Sequence, residues 1–157
     1  MDVIFNEYST WLRETSPQNE DIDDLIAGAN LENGMTKDIL YNLMFFTFPE
    51  TESSRYTKML KILHYEAINN EKINTFMEYE NIESSVVFMR NMFNRLIELG
   101  HLQPFNASIV SSLLYSIILA YVTLSTMGLN HTDRHGGKKN MYDLITYVLQ
   151  LVVDGKA

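Results

Sequence analysis

The chain has 157 residues, 46% of them hydrophobic, and a formal net charge of −8. That length supports one domain with a sizeable core. A Cys count of zero excludes a disulfide framework and thiolate catalysis, and the acidic balance excludes the basic footprint that neutralises nucleic-acid phosphates. The acidity is local: residues 1–54 hold eleven acids against only Arg13 and Lys37, leaving nine acids and ten bases beyond them. Asp2 after Met1 is not the basic start of a signal peptide, so a cytoplasmic location is expected.

Helical periodicity runs through the whole chain, and no alternating strand pattern competes with it. Asp2 can cap a helix to about Glu14 that places Val3, Ile4, Tyr8, Trp11 and Leu12 on one face, and Ser16-Pro17 breaks it. The acidic run Glu20–Asp24 leads into a short helix with Ile22, Leu25, Ile26 and Ala29, and Asn33-Gly34 signals a turn. Thr36 caps a helix with Ile39, Leu40, Leu43, Met44 and Phe46 on its apolar face, ended by Pro49. Thr51 or Ser53 begins another that reaches about Asn69 and buries Tyr56, Met59, Leu60, Leu63 and Ala67. A brief helix carries Ile73, Phe76 and Met77. The spacing of Ile82, Val86, Met89, Phe93, Leu96 and Ile97 then predicts an amphipathic helix stopped by Gly100.

The chain is organised around Phe105–Met127, a stretch without one charged residue. Asn106 is its expected N-cap and Gly128 its expected C-terminal stop. A helix that is apolar on nearly every side must be buried by lipid or by protein. Seven Ser and Thr residues interrupt it and no basic cluster flanks it, so protein is the expected cover and no membrane is expected. Ser108, Ser112, Ser116 and Ala120 recur every four residues as a smooth stripe that lets a second helix approach, flanked by Ile109, Leu113, Ile117, Val110, Leu114 and Ile118. A core on one side and a partner subunit on the other fit such a helix. The polar segment Leu129–Asn140 reads as a loop, and a last helix carries Met141, Leu144, Ile145, Val148, Leu151 and Val152 up to Asp154-Gly155, with Tyr142 and Tyr147 widening its apolar surface. The expected fold is all-α, a single bundle of about six to eight helices, with residues 1–35 packed loosely and residues 105–153 forming its most hydrophobic helix pair.

From Thr57 to Ala157 the order of features resembles the C-terminal domain of TetR-family transcriptional repressors. The segments that carry the likeness are KMLKILHYEAINNEKINTFM, FMRNMFNRLIELG, the link GHLQPFNAS and the apolar helix after it. Residues 1–56 fit more loosely, and the basic helix-turn-helix that the family carries before this region is missing. The resemblance therefore implies an effector-sensing, homodimerising domain that binds no nucleic acid by itself, with DNA contacted through an absent N-terminal domain. In the family the last two helices of each subunit build a four-helix interface. Mapped here, that interface comprises Ser108, Ser112, Tyr115, Ser116, Leu119, Ala120, Leu144, Tyr147, Val148 and Leu151. The preceding helices of the family enclose an effector. Tyr41, Phe45 and a further set rich in Met and aromatic residues suit an adaptable apolar pocket. The residues expected to line it against a small apolar effector are Met44, Phe48, Met59, Leu63, His64, Phe88, Met89, Met92, Phe93 and Tyr115; ordinary core packing is the simpler account of any one of them.

Tyr65, Asn91 and Arg95 are further polar candidates for such a site, although His64 itself suits a structural role better than a ligand contact. His131, Asp133 and His135 lack a recognised zinc-ligand spacing. Glu98 and His101 make an E-x-x-H without the second copy that a di-iron bundle needs, and Gly100 interrupts the helix between them. There is no nucleophile elbow, phosphate-binding glycine loop or HExxH. No catalytic residue, metal or cofactor is expected, and the chain is not expected to be an enzyme. The alternative reading is a free-standing helical interaction module with no ligand.

Overall fold

The structure, a computed structural model, describes residues 2–15, 21–45, 55–78, 83–126 and 137–157. Among the described residues it is all-α, with eight helices: α1 (Asp2–Thr15), α2 (Ile22–Gly28), α3 (Lys37–Phe45), α4 (Arg55–Ala67), α5 (Glu71–Phe76), α6 (Ser84–Glu98), α7 (Ala107–Thr126) and α8 (Gly137–Val153).

Local chemistry sets several of the ends. The side chains of Thr36, Asn70 and Asn106 accept from the backbone N–H groups of Ile39, Ile73 and Ile109 at 3.2, 3.3 and 3.1 Å, which satisfies one orphan donor at the start of α3, α5 and α7. Helix α6 stops at Gly100, whose φ of +78° lies in the left-handed region. His101 N–H then donates back to the Leu96 carbonyl at 2.9 Å, as a Schellman closure requires. Gly34, with φ +85°, makes the turn expected at Asn33-Gly34.

Helices α6, α7 and α8 pack in series, with α7 in the middle; α2 lies on α6 and α3 on α8. Together they enclose the main core, in which Leu40, Met92, Phe93, Leu96, Leu114, Leu149 and Val152 are fully buried. Phe93 meets Phe105 edge-on at 5.1 Å, and Tyr41 meets Tyr142 at 5.1 Å across the α3–α8 contact. A second, smaller cluster joins α1, α4 and α5 through Tyr8, Met59, Leu63, Ile73, Phe76 and Met77. Helix α4 leans on α7, so α7 borders both groups. Two cores of unequal size meet along one helix.

Several expectations need correction. Val3, placed on the buried face of α1, is 77% exposed, because that helix turns Tyr8 inward and the stripe through Ile4, Tyr8 and Trp11 faces α4. Within residues 1–35, Tyr8 belongs to the second cluster, and Ile22 and Ile26 to the main one. Helix α8 begins at Gly137, so Lys138, Lys139 and Asn140, expected in a loop, are helical. Lys is a good helix former, and a glycine at the first helical position leaves free only an N–H that is unpaired there anyway. The breaks at Ser16-Pro17, Pro49 and Gly128, together with Phe46, Ile82 and the side chains of Leu12, Tyr56 and Leu60, lie outside the described residues.

Candidate dimer face and effector site

Helix α7 has one face that the rest of the chain leaves open. Ser108, Ile109, Ser112, Leu113, Ser116 and Ala120 are exposed, whereas Ala107, Val110, Ser111, Leu114 and Ile118 point into the main core. The every-fourth-residue stripe is therefore an outer surface. Beside it, Ile109 and Leu113 leave 64% and 46% of their surface in solvent. On the neighbouring α8, Leu144 and Tyr147 are 54% and 64% exposed, one turn apart. Leu119 and Leu151 are half-buried. Tyr115 and Val148, also expected at an interface, pack against the main core.

The polar groups of this face ask little of a partner. Ser116 Oγ donates to the Ser112 carbonyl at 2.7 Å within the helix, so its proton is already placed and covering it leaves no unpaired donor. No charged side chain occurs between Ala107 and Thr126. Apolar branches and small residues on two adjacent helices, with the Ser116 hydroxyl already bonded, suit coverage by protein better than permanent exposure.

The residues expected to line an effector site do not converge on one place. Met44, Phe88, Met89, Met92 and Phe93 are buried in the main core, and Tyr115 packs against it. Met59 and Leu63 belong to the second cluster, with His64 beside Leu63 on α4. Phe48 lies outside the described residues. The described members of the set thus fall into two apolar clusters joined by the contact of α4 with α7. Periodicity shows which side of a helix is buried but not which core receives it.

Where α1 and α4 meet α7, His64, Thr123, Tyr8 and Tyr115 place polar tips among apolar neighbours. His64 Nε2 lies 3.4 Å from Thr123 Oγ1 of α7. The other ring nitrogen, Nδ1, is buried with no hydrogen-bond partner. Burial holds the imidazole below its ordinary pKa, which favours the neutral ring. Two turns back along α7, Tyr115 has its phenol pushed up to about 12 by burial. Tyr8, from α1, is raised further, first by burial and then by the nearby Tyr115. Ser111, one turn before Tyr115, is fully buried and its Oγ is also unpartnered. Tyr8, Ser111 and Thr123 were not among the expected site residues. The apolar stripe of α1 already marked Tyr8 as buried, but nothing local distinguishes Ser111 and Thr123 from the other hydroxyls of α7.

The remaining polar candidates are committed elsewhere. Arg95 donates to Asp23 at 2.6 Å and to Glu98 at 3.1 Å, bonds that raise its pKa and tie α2 to α6 at the surface. Being exposed, those pairs fix geometry more than they stabilise. Tyr65 faces solvent, and Asn91 is half-buried on α6. Glu98 of the E-x-x-H is held by Arg95, and the left-handed turn at Gly100 separates it from His101. His131, Asp133 and His135 lie outside the described residues, among which no group of three potential metal ligands occurs. Among the described residues, too, no helix is long and apolar enough to cross a membrane. Comparison with protein-family models, with curated proteins and with solved structures finds no match.

Proposed function

We propose that this chain is a homodimerising, effector-sensing domain of the TetR-like kind, which passes a small-molecule signal to a DNA-binding domain outside it. The observation that carries the reading is the outward face of α7 and α8, where the Ser108–Ser112–Ser116–Ala120 stripe lies exposed beside Ile109 and Leu113, with Leu144 and Tyr147 exposed on the adjoining helix. A two-fold axis past this face would bring each stripe against its copy and close a four-helix layer. The effector would act on the junction of the α1–α4–α5 group with α7, and it can bias that junction only by its difference in affinity for the two arrangements.

Ser116→Glu tests the interface. Two carboxylates would be forced together at the symmetric contact, so the variant is expected to run as a folded monomer under light scattering where the parent chain is dimeric. An unchanged dimer mass removes the stripe from the interface.

A second reading, a helical interaction module without a ligand, draws on another surface. Ile62 and Tyr65 are exposed on α4, and Ile68 is exposed just past its end. The two readings separate in a thermal-shift screen against lipophilic compounds, since a ligand that binds only the native state raises stability by mass action.

A further inference from the structure

The apolar interior contains an unpaired polar atom where its two halves meet. Among the described residues, the buried apolar side chains form one cluster around α6, α7 and α8 and another around α1, α4 and α5. The contact of α4 with α7 joins them. His64 stands at that contact, its Nε2 tied to Thr123 and its Nδ1 buried without a partner. Leaving a buried hydrogen-bonding atom unpaired is costly, and folded proteins rarely do so without a water or ligand group to meet it. Thr123 and Tyr115 are eight residues apart, about 12 Å along α7, and Tyr8 approaches Tyr115 from α1. The seam is therefore greasy along its length and polar at separated points.

We propose that the α4–α7 seam is the effector subsite, with His64 Nδ1 as its polar anchor, and that the effector is an uncharged, mainly apolar molecule carrying a hydroxyl. This rests on the effector-sensing reading and narrows it. A hydroxyl follows from the imidazole chemistry: the neutral ring has one N–H, and which nitrogen carries it depends on whether Thr123 donates or accepts. A hydroxyl can complement either tautomer. A carboxylate would enter a site where burial disfavours charge and would have to protonate the ring or lose its own charge. Ligand binding here would press on α4 and α7 together, which couples the seam to the helix that also carries the proposed dimer face.

The test uses the intact chain, 1-octanol and octanoate, with the His64 ring followed by nitrogen and proton NMR and the subunit mass read on the same samples. Saturable binding of 1-octanol should shift the His64 ring signals and raise the melting temperature. Octanoate at the same pH should bind at least roughly tenfold more weakly, and His64→Phe should weaken 1-octanol by roughly tenfold, the loss of about one buried hydrogen bond. Because the ring signals are read in the unaltered chain, the test stands even where the variant fails to fold. Binding that leaves those signals in place, equal or tighter binding of octanoate, or no binding of 1-octanol overturns the proposal. A dimeric mass alongside any of those outcomes leaves the interface reading intact, whereas a monomeric mass removes that reading independently.

Discussion

Leu113 and Leu114 are neighbours on α7 with opposite surroundings, and replacing each by Ala separates interface energy from core energy. Leu114 is fully buried in the main core, so Leu114→Ala removes packed atoms and leaves a cavity, at a cost of about 2–5 kcal/mol of folding stability. Leu113 keeps 46% of its surface open in the subunit. Full burial of a leucine side chain contributes about 1.5–3 kcal/mol, so covering that remaining fraction contributes roughly 1 kcal/mol per subunit. A two-fold interface uses the residue twice, giving roughly 2 kcal/mol per dimer, or about a 30-fold weaker dimer for Leu113→Ala. Sedimentation equilibrium measures the dimer dissociation constant. Urea unfolding, extrapolated to low protein concentration, measures the subunit without the linkage that dimerisation adds. The expected pattern is a large loss of subunit stability only for Leu114→Ala, and a weakened dimer with a nearly unchanged subunit for Leu113→Ala. A dissociation constant within about threefold of the parent for Leu113→Ala, or equal losses of subunit stability in the two variants, would refute the assignment of the two faces.

Gly100→Ala should cost about 1–2 kcal/mol. The cost is backbone strain alone, because φ is +78° there and, apart from its chain neighbours, no atom lies within 4 Å of the added methyl group; the urea midpoint reads it. His64 makes stability depend on pH with a defined sign. Its folded pKa lies below the unfolded value of about 6.5, so its neutral-state contribution is complete above that value and is lost as pH falls through it toward the folded pKa. His64→Gln should therefore flatten the decline in stability between about pH 7 and pH 5, measured by unfolding at each pH; an unchanged slope would show that the ring does not titrate with folding.

Much of the fold was legible because helical sequences announce their boundaries and their buried side. Asn106 and Thr36 cap where their short side chains predicted, and Gly100 closes α6 where its freedom at positive φ was needed. The buried set Met89, Phe93 and Leu96 follows from spacing alone. The start of α8 was misplaced because Gly and Lys after a polar run look like loop, while the helix they join is fixed by packing further along it. Val3 shows the same limit: a hydrophobic residue near a chain end is buried only where a partner element reaches it.

Of the candidate sites, the stripe on α7 could be read because a four-residue interval is itself a helix-surface pattern. Which of its flanks faced outward could not. Ile109 and Leu113 differ from Val110 and Leu114 only in which neighbours the fold brings to them. The residues expected to line an effector site were scattered for a related reason. Met59 and Met92 are chemically alike, but one packs with α1 and α5 and the other with α7 and α8, a distinction that depends on the assembly of helices distant in sequence. The seam at His64 is harder still, since its Thr123 partner is 59 positions away.

The central claim is that a second copy covers the open face of α7 and α8. Sedimentation equilibrium of the unmodified chain over a wide dilution series tests it most directly. A molar mass of two subunits that falls to one only on dilution, with the transition moved to higher concentration by Leu113→Ala, is the predicted result. One subunit's mass at every concentration, with Ile109, Leu113, Leu144 and Tyr147 still in solvent, would contradict it.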